Sequence, residues 1–232
     1  GSEMCIRDRD MTAAYGVLVN GGKDITPTLI DRIQDRYGAT IFKHDARSCM
    51  ACEAESWEGQ TPPILADDRQ RVMDARTAYQ VVHMLEGVVQ RGTGRRIRSL
   101  GRSLAGKTGT TNEEKDAWFI GFSPDLVVGV FTGFDDPRSL GRREEGSSVA
   151  APIFKEFMGE YLKGQKDIPF RIPSGVRMVR VNSKTGAPPH VNDPPAPVIL
   201  EAFIPGTEPK PGERRMVDGS GTVVQTEGDL RN

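Results

Sequence analysis

The sequence predicts an α+β domain, in which helices pack on an antiparallel sheet, followed by an irregular proline-rich tail. Two β-rich runs, residues 116–122 and 126–134, are joined by Ser123-Pro124-Asp125, a turn too short for the crossover that parallel strands need. Two segments with helical apolar spacing, residues 74–91 and 148–163, supply helices to cover that sheet. Ten of the sixteen prolines fall in the last 69 residues, where the apolar period almost disappears.

The first part of the chain is predicted to contain one short helix and one hairpin. Residues 1–9 show neither an apolar period nor strand alternation, which indicates a non-native or disordered leader. A helix is predicted from Asp10, an N-cap candidate, to the glycine pair at 21–22. Two β-compatible runs, residues 28–34 and 39–44, flank a short polar turn and therefore predict a hairpin.

The remaining segments divide into a loop, the covering helices and the tail. Residues 45–67 are polar and without period, so they are predicted to be a surface loop or insertion. A longer helix begins near Asp74, and a Gly-rich stretch at residues 91–95 follows it. Residues 164–232 form the Pro-rich tail, with one small hairpin expected around residues 176–181.

Composition excludes several classes of function. The chain has 31 Lys and Arg against 32 Asp and Glu, a formal charge of -1, so no global field attracts nucleic acid or an acidic membrane surface. We therefore expect no nucleic-acid partner. No stretch approaches the ~20 apolar residues of a membrane span, and the first residues lack the apolar core of a signal peptide. Three cysteines are too few for a disulfide-stapled scaffold.

Residues 101–108 match the phosphate-loop pattern G-x-x-x-x-G-K-[ST] letter for letter. A phosphate loop must follow a buried strand and open a helix, so that free backbone amides meet the phosphates. The preceding residues 95–99 are too charged for a central parallel strand, and a β-rich segment follows Gly109. Nucleotide binding is therefore only a remote alternative.

The favoured interpretation places Lys107, Thr108, Gly109 and Thr110 on an edge strand. The lysine supplies a cation, two threonine hydroxyls can bind a carboxylate, and Gly109 lets a peptide backbone lie close. The Thr110 amide can stabilise a developing oxyanion. This set suits acyl transfer on a peptide with a free carboxylate end. A second Lys-Thr-Gly, residues 184–186, precedes Ala-Pro-Pro and is predicted to be a turn.

Five segments in order along the chain resemble the C-terminal half of the transpeptidase domain of class A, bifunctional penicillin-binding proteins, the 1A type in particular. They are DMTAAYGVLVNGG (residues 10–22), AYQVVHMLEGVVQRGTG (78–94), LAGKTGTTN (104–112), DAWFIGFSPDLVVGV (116–130) and AAPIF (150–154). The resemblance implies part of the penicillin-binding protein and serine β-lactamase-like fold, with residues 10–163 as the C-terminal half of the transpeptidase domain.

The resemblance further implies a serine acyltransferase that cross-links peptidoglycan stem peptides at D-Ala-D-Ala and is acylated by β-lactams, without a cofactor or metal. Lys107 to Thr110 would then form the third active-site motif. The family's nucleophile lies in S-x-x-K and its second motif in S-x-N, but none of the twelve serines here has Lys three residues on. We expect both motifs, the glycosyltransferase domain and the membrane anchor to lie upstream of this segment in the full-length protein. The resemblance also implies that the protein works on the periplasmic side of the inner membrane. We therefore expect this chain to be inactive on its own. β-Lactams are expected to bind only when the upstream half is present.

Other residues leave alternatives open. Cys49 and Cys52 have the spacing of half a zinc site, but a second pair is missing, which favours a local disulfide or two free thiols. The extracytoplasmic location that the resemblance implies favours the disulfide. His83 is expected to be a structural histidine on the long helix, and one of Trp118 and Phe119 should be core. The alternative function is a non-catalytic module that binds carboxylate-terminated peptides.

Overall fold

The computed structural model describes residues 2–45, 65–191 and 195–210, together with residues 47, 49, 56, 58, 59, 61, 216–217 and 223–224. Three helices and nine strands are assigned within this part of the chain. In chain order they are α1 (Ser2–Val19), β1 (Arg32–Gln34), β2 (Thr40–Lys43), α2 (Ala75–Arg91), β3 (Ala105–Thr110), β4 (Asp116–Phe122), β5 (Val127–Gly133), α3 (Ala151–Tyr161), β6 (Arg177–Asn182), β7 (Val198–Phe203), β8 (Met216–Val217) and β9 (Val223–Val224).

The central sheet has the order β3-β4-β5, and both strand pairs are antiparallel. Ala105 lies opposite Phe122 and Thr110 opposite Ala117, so β3 pairs with β4 along its whole length. The β4–β5 turn is closed by Ser123, whose hydroxyl accepts hydrogen bonds from the amides of Asp125 and Leu126. The predicted α+β class and antiparallel sheet are confirmed.

Helices cover both faces of this sheet. One face carries a cluster of buried side chains from β4, α2, α3 and the 3-10 turn Arg95–Leu100, with Phe119 against Phe154 at 4.9 Å between ring centroids. The other face holds a smaller cluster in which Phe122 packs with Val82 of α2 and with residues of α1. Alternation along β4 explains this arrangement, because neighbouring side chains of a strand point to opposite faces.

The two amphipathic helices follow the sequence closely at their ends. Asp74 caps α2, since its carboxylate accepts a hydrogen bond from the Arg76 amide at 2.8 Å, and Gly92 closes the C-terminal end. The final helix begins with a π-helical turn, Gly146–Ala150, which leads into α3 with a proline in its first turn.

Helix α1 is longer than predicted. It runs through residues 2–19, so Asp10 lies inside the helix and the expectation that it is the N-cap was wrong. Residues 2–15 contain no Gly or Pro, so no residue there stops the helix from extending toward the N-terminus beyond Asp10. The stop at Gly21 and Gly22 is confirmed, since both have positive φ. Whether residues 1–9 are native stays a prediction.

The tail is better attached than its composition suggests. The small hairpin expected around residues 176–181 is a single strand there, β6. Its antiparallel partner β7 lies beyond the turn that holds the second Lys-Thr-Gly, so the hairpin is wider than predicted. Helix α2 is hydrogen-bonded to β7: the Gln80 side-chain amide donates to the Ala202 carbonyl at 2.9 Å. The earlier hairpin, β1 paired with β2, matches its prediction. Among the described helices, none has the length and apolar character needed to cross a membrane.

Candidate functional site

Lys107, Thr108, Gly109 and Thr110 form the second part of β3, at one edge of the central sheet. The strand begins with Ala105 and Gly106, which are buried, and emerges so that Lys107 and Thr110 are exposed. The sequence explains this emergence, because small residues enter the packed part of the sheet and polar residues follow. An edge strand leaves one row of backbone groups free to pair with an extended peptide.

The phosphate-loop alternative is wrong. Thr108 lies in the middle of a strand opposite Phe119, whereas a phosphate loop would place it at the start of a helix. The first glycine of the pattern, Gly101, caps the 3-10 turn Arg95–Leu100 with φ of 62°. The sequence matches the phosphate-loop pattern because both of its glycines have other roles: Gly101 caps the 3-10 turn, and Gly106 allows close packing of β3 on β4. A Cβ on Gly106 would lie 2.8 Å from the Ile120 carbonyl oxygen.

The side chains of the motif alternate between the two faces of β3. Thr108 and Thr110 share the face of Phe119, and Lys107 lies on the face of Ile120. The Lys107 ammonium donates to the Thr108 carbonyl at 2.7 Å. The motif therefore presents a cation on one side of the strand and two hydroxyls on the other, with Gly109 between them.

Two neighbours that the sequence did not identify contact these hydroxyls. The Thr93 and Thr108 hydroxyl oxygens are 2.8 Å apart. The Gly146 amide donates to the Thr110 hydroxyl at 3.1 Å. Thr93 could have been suspected from its place between Gly92 and Gly94, but nothing local to Gly146 indicates that it meets β3.

The other candidate residues have structural contacts: Phe119 and Trp118 lie on β4, opposite Thr108 and Gly109, and His83 lies on α2. Phe119 is fully buried in the core, as expected for one of the aromatic pair, and Trp118 packs on Phe131 at 4.8 Å between ring centroids. His83 has a structural contact, as predicted, because its Nε2 lies 2.8 Å from the Leu200 carbonyl oxygen of β7. The described part of the chain contains no group of three or more His, Cys, Asp or Glu side chains that could hold a metal ion.

The two cysteines of residues 45–67 are only partly described. Cys49 is disulfide-bonded. Cys52 lies outside the described residues, so its pairing with Cys49 stays a prediction. The interpretation of residues 45–67 as a surface loop or insertion also stays a prediction, since much of this segment lies outside the described part.

The fold and the edge strand together define a class of protein: an α+β domain with Lys-Thr-Gly-Thr on the edge of an antiparallel sheet. Comparison with family models agrees. Residues 9–159 match the penicillin-binding protein transpeptidase domain. The chain belongs to this family of transpeptidase domains.

Individual relatives are of the 1A type. The chain is 42% identical over 195 residues to penicillin-binding protein 1A of Rickettsia bellii and 37% identical over 207 residues to that of Pseudomonas aeruginosa. It is also similar to the crystal structure of penicillin-binding protein 1A from Haemophilus influenzae, with a TM-score of 0.69 and 31% identity over 87% of this chain and 32% of that one. The chain spans about a quarter of the length of the curated relatives, 24% and 25%.

Proposed function

We propose that this chain is the C-terminal half of a peptidoglycan D,D-transpeptidase domain, a serine acyltransferase that acts on D-Ala-D-Ala stem peptides. In this proposal residues 10–163 form this half and 164–232 are the Pro-rich tail. Residues 1–9 are a non-native leader, of which residues 2–9 extend helix α1. The observation that carries the proposal is the exposed edge strand with Lys107, Thr108, Gly109 and Thr110 in a chain of this family. The full protein would also carry a glycosyltransferase domain and a membrane anchor and face the periplasm.

The edge strand supports the binding half of the reaction. The donor peptide lies along the free edge of β3, and its terminal carboxylate accepts hydrogen bonds from the Thr108 and Thr110 hydroxyls. The Lys107 ammonium adds positive charge beside the same strand. The Thr110 amide meets the oxygen of the carbonyl under attack, where negative charge develops.

The bond-making groups come from outside these 232 residues. A serine hydroxyl attacks the D-Ala-D-Ala amide, a neighbouring base takes its proton, and the terminal D-Ala leaves with that proton on its amine. The amine of a second stem peptide then attacks the acyl-serine ester, so the new peptide bond replaces the one that broke and the serine is regenerated. A β-lactam enters the same site and stops at the acyl-enzyme.

The test substitutes Lys107 in the enzyme that joins this chain to the S-x-x-K segment. Lys107→Ala should slow acylation by a fluorescent penicillin by about a hundredfold, a typical loss for one group that stabilises a developing charge. The matched control is Lys163→Ala, because the Lys163 ammonium is exposed and 3.6 Å from the equally exposed Glu160. Equal acylation rates in the two variants would contradict the proposed role of Lys107.

The second candidate function is a non-catalytic module that binds carboxylate-terminated peptides. The observation that favours it is the lack of S-x-x-K in this sequence. The two functions differ in one outcome, since a binding module holds peptides that end in a free carboxylate and never becomes covalently labelled.

A further inference from the structure

The turn after helix α2 brings a third hydroxyl to the edge strand. Thr93 is exposed and its hydroxyl oxygen lies 2.8 Å from that of Thr108. This contact joins residues fifteen apart in sequence and links the α2 turn to the polar part of the motif. It lies on the face of β3 that carries both motif threonines.

The position of Thr93 is fixed by the residues on each side of it. The amides of Gly92 and Gly94 both donate to the Val88 carbonyl, at 3.0 and 3.1 Å. A Cβ on Gly92 would lie 2.9 Å from Val88 Cα, and one on Gly94 would lie 3.3 Å from the Val88 oxygen, so the turn is folded tightly onto the helix. The next turn is anchored by Ile97, which is fully buried.

The hydrogen-bonding capacity of a hydroxyl decides what this contact can do. A hydroxyl has one proton to donate, and a carboxylate can only accept. If Thr108 donates its proton to a substrate carboxylate, the bond between the two threonines must run from Thr93 to Thr108. We infer that Thr93 is a positioning residue: it donates to the Thr108 hydroxyl and so directs the Thr108 proton toward the substrate carboxylate.

This inference rests on the proposed function, because it assigns Thr93 to the carboxylate site of the same acylation. It predicts that loss of the Thr93 hydroxyl harms only ligands with a free carboxylate. A purely structural role for the turn predicts equal harm to every ligand, since a displaced β3 would disturb Lys107 and the Thr110 amide as well.

The experiment measures acylation rates of the enzyme that joins this chain to the S-x-x-K segment, with benzylpenicillin and with its methyl ester. Thr93→Val removes the hydroxyl at nearly constant volume, and should slow the acid by about fivefold to tenfold while leaving the ester rate unchanged. Thr93→Ser should restore the acid rate. Thr77→Val is the control, because Thr77 is exposed in the first turn of α2, and it should change neither rate.

The outcomes separate this inference from the proposed function. No acylation of the unsubstituted enzyme contradicts the proposed function and the inference with it. Normal acylation that Thr93→Val leaves unchanged, or slows equally for acid and ester, overturns the inference alone. A Thr93→Ser variant as slow as Thr93→Val toward the acid would likewise show that the hydroxyl is not what matters.

Discussion

Gly146, in the π-helical turn before α3, packs directly against the motif strand. Its amide bonds the Thr110 hydroxyl, and a Cβ at this position would lie 2.5 Å from the Gly109 carbonyl oxygen. Glycine is therefore required by contact with backbone, which cannot rotate away as a side chain can. The space beside Gly109 and Thr110 is set by a residue thirty-six positions further along the chain.

This contact gives a residue-scale prediction. Gly146→Ala should destabilise the chain by about 2 kcal/mol or more, because backbone must move to admit the methyl group. Gly159→Ala is the matched control, since the new Cβ would lie 3.4 Å from the Leu100 side chain and α3 would gain helix propensity. Urea unfolding followed by circular dichroism measures both. A Gly146→Ala chain as stable as Gly159→Ala would contradict the close packing.

Single residues also show how far the sequence could predict the site. The position of Lys107, Thr108, Gly109 and Thr110 on an edge strand was predictable, because the motif is continuous and the strand that follows it is clear. Thr93 and Gly146 were not assigned to the site, because each reaches β3 through the packing of another element. Such contacts depend on tertiary structure, which no local spacing encodes.

At the scale of elements, helix α2 joins the sheet to the tail. One side of the helix packs Val82 and Val89 against the sheet. Another carries Gln80, His83 and Arg91, which bond β7. Apolar spacing predicted the first side. Composition did not predict the second, because a Pro-rich tail with few apolar residues gives no periodic signal, and β7 is held largely by polar bonds to its edge.

The His83 contacts make this attachment pH-dependent. The Glu86 carboxylate, 3.6 Å from Nδ1, raises the pKa of His83 above its ordinary 6.5 against the opposing effect of burial, and the Leu200 carbonyl and Glu201 add to the rise. The Tyr79 ring stacks beside the imidazole, and Arg91 bonds Glu201 at 2.8 Å. The cationic imidazole is therefore favoured when β7 is docked on α2.

The sign of the pH effect follows from the raised pKa. A group whose pKa is higher in the folded state contributes stability that is full below its unfolded pKa of about 6.5 and is lost as pH rises through the folded value. Hydrogen-exchange protection factors of the β7 amides should therefore fall as the pH rises above about 6.5. His83→Gln should remove this change, whereas His44→Gln should keep it. Identical pH profiles for both variants would contradict the account.

For the molecule as a whole, the chain is part of a transpeptidase domain and spans about a quarter of the length of its curated relatives. The family match ends at residue 159, within helix α3. The described part of the tail follows α3 and contacts helix α2 through β7. Fold class and motif strand were predictable because both depend on contiguous segments. In the proposed function, the strand that binds the carboxylate also needs a serine and a base, which we expect another segment to bring to it.

We propose that this chain contains the substrate-binding strand of a transpeptidase and that the nucleophile lies on another segment. The most direct test incubates the 232-residue chain with a fluorescent penicillin, alone and with a purified upstream segment that carries S-x-x-K, followed by denaturing electrophoresis and intact mass. The account predicts no covalent adduct on the chain under either condition, and labelling of the upstream segment that increases when the chain is added. A covalent adduct on any residue of this chain would contradict it.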